Sequence, residues 1–144
     1  MLPSMANQQA IDTFLMRSDP PLLGVIGTVN PDGSPHVVPL WYRYDGSKIF
    51  LWTLEGRRWA KNLQHEPRVS ISIQEDEEPF GGVVIKGRAQ VDTGDDAWIS
   101  DKIHTITRNY IPEDGIEDYI ASWPELRTIV TITPEKITSW GDGY

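Results

Sequence analysis

The sequence has no cysteine, which removes disulfides, thiolate metal sites and cysteine nucleophiles together. It is also short of positive charge. Thirteen lysines and arginines stand against 21 aspartates and glutamates, a formal net charge of -8. A general nucleic-acid binder needs a broad basic face to displace counterions, so no nucleic-acid partner is expected. No apolar run approaches the roughly 18 residues of a membrane span, so no membrane insertion is expected. The opening MLPSMANQQA lacks a basic stretch followed by an apolar core, so a signal peptide is not expected and the expected compartment is the cytoplasm. His36, His65 and His104 show no metal-ligand spacing, and EDEE at 75–78 reads as an exposed, self-repelling loop, so no metal is expected. No Gly-x-Ser-x-Gly elbow supports a serine hydrolase.

What is present suits one soluble globular domain spanning 1–144. The apolar fraction is 39% and the charged fraction 24% over 144 residues, enough for a single good core. Six tryptophans are many for this length. Large aromatic side chains favour cores, interfaces and flat ring-shaped ligands.

The segment 6–17 places Ile11, Phe14 and Leu15 at helical spacing, and DPP at 19–21 ends that helix. LLGVIGTV, HVVPLWYRY (36–44) and KIFLWTL then read as three strands, joined by an NPDG turn at 30–33 and a DGS hairpin at 45–47. A basic helix starting near Arg57 follows, closed by Pro67. RVSISIQ (68–74) and VVIKGRAQV (83–91) alternate apolar and polar residues as half-buried strands do. A helix is expected from about Asp96 to Tyr110, with Asp92, Asp95 and Asp96 as its turn and cap, and a shorter helix within 111–123. RTIVTIT and PEKITSW close the chain. Short strands with hairpin connections and few helices predict a mainly β fold, a six-stranded antiparallel barrel with helices packed outside. Strand 36–44 is apolar on both faces, which predicts a core on one side and a ligand or partner subunit on the other.

The chemistry concentrates in TLEGRRWAKNL (53–63). Four of the 13 basic residues, Arg57, Arg58, Lys61 and Arg68, fall between positions 55 and 68. On a helix, Arg57 and Lys61, Arg58 and Lys61, and Arg58 and Asn62 are close enough to share a face. Two arginines in a first turn oppose the helix dipole, which makes sense where a phosphate or carboxylate is to sit. Thr53, ending the preceding strand, adds a hydroxyl. The plainer alternative is a solvated helix face with Glu55 and Glu66 as partners.

The ordered set TVNPDGSPHVVPLWYRYDG, LWT, GRRWAKNLQHEPRVSISI and VVIKGRAQV resembles the split β-barrel flavoproteins related to pyridoxamine 5'-phosphate oxidase. RTIVTITPEKITSW resembles that family's last strands. The resemblance implies a homodimer that binds FMN, or the deazaflavin coenzyme F-420, in a groove between two barrels. It makes Val38, Pro39 and Trp41 candidates for contact with the flavin ring, and Thr53, Arg57, Arg58, Lys61 and Asn62 candidates for the phosphate end. Many relatives carry a lysine where this chain has Trp59. Either Trp59 packs inward beside Leu63 and Arg58 takes over the lysine's work, or the site is altered or lost. The function implied is an FMN-dependent oxidoreductase acting on a small organic substrate. The alternatives are an F-420-dependent reductase and a flavin- or haem-binding protein without turnover. No catalytic residue is singled out; Tyr42, Tyr44 and Tyr110 are possible proton donors.

Overall fold

The structure, a computed structural model, describes residues 8–141. Seven strands, β1 (Gly24–Val29), β2 (Pro35–Leu40), β3 (Arg43–Tyr44), β4 (Ile49–Leu54), β5 (Arg68–Gln74), β6 (Gly82–Gly94) and β7 (Arg127–Trp140), form one sheet. Every neighbouring pair is antiparallel, in the order β2-β1-β5-β6-β7-β4-β3. The helices are α1 (Gln8–Leu15), α2 (Arg58–His65), α3 (Ala97–Thr107) and α4 (Ile116–Ala121). The end strands β2 and β3 are consecutive in the chain, so the sheet curls back on itself and leaves a seam at Trp41 and Tyr42. This is the expected antiparallel split barrel with outer helices.

The strand count is seven rather than six, and the expected strand 36–44 divides at the seam. Tyr42 leaves the ladder: its backbone N–H donates to the Tyr110 hydroxyl at 3.2 Å, and its own hydroxyl donates to the Leu15 carbonyl at 2.7 Å. The chain thereby changes partner, β2 pairing with β1 and β3 with β4. The last two expected strands instead run on as one. A bulge at Lys86 and Gly87 takes the register from Lys86↔Lys136 to Gly87↔Pro134, skipping Glu135. Pro134, which has no N–H to give to a ladder, sits where the ladder is already interrupted. β6 runs on to Gly94 and absorbs Asp92, leaving Asp96 as the α3 cap, with its Oδ1 accepting from Ile99 N at 2.9 Å. Of the expected helix 6–17, positions 6 and 7 lie outside the described residues.

The alternation read from β5 holds, with Val69, Ile71 and Ile73 buried between half-buried Ser70, Ser72 and Gln74. One rung of paired residues, Val38, Ile26, Ile71, Ile85 and Ile137, crosses five strands. Ile26, Ile71 and Ile85 in that rung are fully buried, and each such side chain contributes about 1.5–3 kcal/mol. A second, smaller cluster of Phe50, Ile99, Ile103, Ile106 and Ile129 lies under α3 and backs Trp41 and Trp52.

Candidate active site

Beside the seam lies a cleft of about 420 Å³, within the roughly 300–1,000 Å³ usual for small-molecule sites. Pro39, Leu40 and Trp41 line it from the end of β2, Trp52, Thr53 and Leu54 from β4, and Tyr119 and Trp123 from α4 and the residues after it. Leu23 and Arg57 complete the lining.

The aromatic walls are held by the fold. Trp41 stacks on Tyr110 with centroids 4.9 Å apart and planes 3° apart. Tyr110 is in turn fixed at the seam by a hydroxyl that donates to the Leu22 carbonyl at 2.6 Å, and burial pushes that hydroxyl's pKa up to about 12. The Trp52 indole donates to Thr107 Oγ1 at 3.1 Å. Tyr119 packs tilted on Trp41 at 5.4 Å and edge-on to Trp52 at 6.3 Å, geometries that aromatic quadrupoles favour. Its helix α4 is anchored by buried Ile116 and by Arg127, which donates to the Ile120 and Glu125 carbonyls at 2.5 and 2.8 Å. His104 Nε2 lies 2.6 Å from Glu117 on the same helix, and its bonds to the Ser100 carbonyl and to Glu117 raise the His104 pKa.

Among the described residues the single cation lining the cleft is Arg57. Gly56 has φ +84°, a conformation glycine takes at no steric cost, and turns the chain sharply from β4 into α2. Arg57 follows as the extended residue that caps α2, and its side chain makes no capping bond. Among the described residues the side chains of Arg57, Arg58 and Lys61 have no hydrogen-bond or ion-pair partner. The solvated-face alternative assigned them Glu55 and Glu66; among the described residues Glu55 makes no ion pair, and Glu66 is engaged elsewhere. That carboxylate belongs instead to Arg68, whose guanidinium lies 2.7 Å away and holds it well below the usual carboxylate range.

The structure thus gathers Pro39, Trp41, Thr53 and Arg57 and leaves the other four candidates elsewhere. Val38 packs against the main core, on the opposite face of β2 from Pro39. Arg58 and Lys61 are exposed on α2, outside the cleft lining. Asn62 is buried and ties α2 to the NPDG turn, its Nδ2 donating to Thr28 Oγ1 at 3.1 Å and to Asn30 Oδ1 at 2.9 Å. It borders a separate hollow with Val29, Gly33 and His65, into which the cleft residues do not reach. His36 is not among the cleft residues either. Trp59 does not plug the site. It is 4% exposed and packs beside Leu63 in the main core, so the substitution of a lysine position by tryptophan leaves the cleft open.

Sequence reading missed Leu23, Leu40, Trp52, Leu54, Tyr119 and Trp123. For the last two a signal existed. Tyr119 and Trp123 stand four apart, a second apolar edge beside the Ile116 and Ile120 pair.

Comparison with known proteins agrees with this architecture. A conserved hypothetical protein from Mycobacterium tuberculosis is 25% identical, with a TM-score of 0.69 over 83% of this chain and 77% of that one. An F420 reductase is 22% identical, with a TM-score of 0.66 over 88% and 94%. A haem storage protein from Vibrio cholerae is 20% identical, with a TM-score of 0.72 over 94% and 95%. The pyridoxamine 5'-phosphate oxidase family profile matches residues 8–141, nearly the whole chain. With an antiparallel barrel split at Trp41 and a cleft along that split, the chain belongs to the pyridoxamine 5'-phosphate oxidase family.

Proposed function

We propose that this protein is an oxidoreductase that holds a flavin-type cofactor in the cleft, FMN ahead of coenzyme F-420, and acts on a small organic substrate. The observation that carries the reading is the union, in one cleft, of flat aromatic walls with an arginine at one end that has no partner among the described residues. Trp41 and Pro39 suit a planar ring, and Arg57 with Thr53 offers a charged fork and a hydroxyl to a phosphate. The bound cofactor would supply the electron chemistry; the chain's own part is to orient it and to exclude water. FMN leads because the net charge of -8 disfavours the long anionic tail of F-420.

Haem binding without turnover is the second reading, supported by the similarity to a haem storage protein. Among the described residues no histidine, methionine or cysteine lines the cleft, and Tyr119 is the one lining side chain of a kind that ligates haem iron. An absorbance spectrum of the purified protein, followed by titration with FMN, F-420 and haem, separates these readings. Arg57→Ala is expected to weaken FMN by about 1.5–3 kcal/mol, roughly 10- to 150-fold. Arg58→Ala, outside the cleft, should weaken it by less than about threefold, the scale of a screened surface charge. Equal losses for both variants would put the phosphate on the α2 face rather than at Arg57. Failure to bind any of the three ligands at tens of micromolar would sink the cofactor reading.

The cofactor site is proposed to lie at a homodimer interface. Leu23, Val25 and Val37 are 51%, 42% and 68% exposed; Leu23 directly precedes β1, and Val25 and Val37 sit on β1 and β2 next to Pro39, which pairs with Val25. A contiguous apolar patch at the rim of a cleft is what a partner subunit would cover. Sedimentation velocity at micromolar concentration is expected to give a dimer, and Val37→Glu to shift it to monomer. A wild-type protein that sediments as a monomer would refute the interface.

A further inference from the structure

Four tyrosines are described, and three have their hydroxyls committed to the fold. Tyr42 donates to the Leu15 carbonyl at 2.7 Å, Tyr44 to Asp12 Oδ1 at 2.7 Å and Tyr110 to the Leu22 carbonyl at 2.6 Å. Burial comes first among the causes that raise the pKa of each, so all three keep their protons near neutral pH. They are struts, and none of them lines the cleft. Tyr119 differs in its place and in its bonding. It lines the cleft, its ring is fixed by contact with both Trp41 and Trp52, and its hydroxyl has no hydrogen-bond partner among the described residues.

An idle donor on a wall of aromatic rings is unfavourable once a ligand excludes water, unless the ligand accepts its bond. The indole N–H groups of Trp41 and Trp123 belong to the same wall. An indole N–H lies along one fixed in-plane direction, whereas a hydroxyl hydrogen turns to meet an acceptor. The charge pattern narrows the ligand further. Among the described residues no Asp, Glu, His or Lys lines the cleft, and the single cation there, Arg57, stands between β4 and α2 on the side of Thr53. A cationic substrate finds no counter-charge there, and an anionic one competes for the arginine assigned above to the cofactor.

We propose that Tyr119 is the specificity-determining residue of the cleft and that the substrate is a flat, uncharged molecule whose carbonyl-type oxygen accepts the Tyr119 hydroxyl. The substrate class rests on the cofactor reading above; the donor role of Tyr119 does not. The side chain is suited to the task because its ring is positioned by two aromatic neighbours, while α4 beneath it is tethered through Arg127 and Glu117. The acceptor is therefore met by a preorganised group rather than by one that must be ordered on binding.

Coumarin and naphthalene serve as probes, being flat, uncharged and similar in size, with a carbonyl oxygen on the first alone. Their affinities are measured by ligand-observed NMR for the wild type and for Tyr119→Phe, with and without FMN. Tyr119→Phe keeps the ring contacts, so its melting temperature should match the wild type. Coumarin is expected to bind about three- to tenfold more weakly to the variant, the scale of one neutral hydrogen bond, with naphthalene unchanged. Equal weakening of both probes, an unchanged coumarin affinity, or no coumarin binding to the wild type at millimolar concentration would overturn the proposal. FMN binding without coumarin discrimination would defeat this inference alone. Coumarin discrimination without FMN binding would defeat the cofactor reading and leave Tyr119 as the donor.

Discussion

Trp59→Ala is expected to lower stability by about 3–5 kcal/mol, the range for removing a large aromatic from a core, while leaving the FMN affinity of the folded protein within about twofold of wild type. Trp59 occupies the inner face of α2 with Ala60 and Leu63, against a main core that includes Ile26, Val69 and Ile71. Arg58 and Lys61 lie on the outer face. None of the atoms that line the cleft belongs to Trp59. Trp59→Lys should be no improvement: it would place an ammonium at a position that is 4% exposed, with the desolvation cost of a charge in an apolar core. Urea unfolding gives the stability and FMN titration the affinity. A tenfold loss of FMN affinity in a still-folded Trp59→Ala would place this side chain in the site after all. Arg57→Ala is the mirror image, costing affinity and little stability.

Gly87→Ala should be comparably severe, for a steric reason. A β-carbon at Gly87 would lie 2.1 Å from the Thr133 carbonyl oxygen, 3.0 Å from its carbon and 3.2 Å from the Pro134 α-carbon. All three are backbone atoms of β7 at the bulge, so no rotamer change relieves the overlap, and two strands must separate. We expect a loss of at least about 3 kcal/mol, and a melting temperature lower by about 10 °C or more. Gly27→Ala is the control, because a β-carbon there would meet its nearest neighbours at 3.7 and 3.8 Å, ordinary contact distances. Its effect should stay within about 1 kcal/mol and lean towards stabilisation, since alanine restricts the unfolded chain. Thermal unfolding of the two variants side by side decides the matter. If they melt together, β6 and β7 do not approach as closely as the structure has them.

Local pattern in the sequence determined the strands, the turns and the amphipathic character of α2. The alternation in 68–74 and the spacing of Trp59 and Leu63 act over a few residues, where periodicity and propensity are decisive. The surplus of cations at 57–61 was legible for the same reason, as was their place at the end of a strand. Which of them faces a cleft was not. That depends on Gly56 turning Arg57 one way as Arg58 enters the helix, and on Arg68 taking the carboxylate of Glu66. Residue types likewise could not show that strand 36–44 breaks, because the break is made by Tyr110, a residue far along the chain whose hydroxyl takes the Tyr42 N–H. Tyr119 and Trp123 reach the cleft only through α4, which is held by packing and by Arg127. Separating Tyr119 from the other three described tyrosines required knowing which hydroxyls the fold had already used. Short-range periodicity carries no record of such pairings. They arise when distant segments compete for the same donors and the same buried space, and only the closed barrel decides that competition.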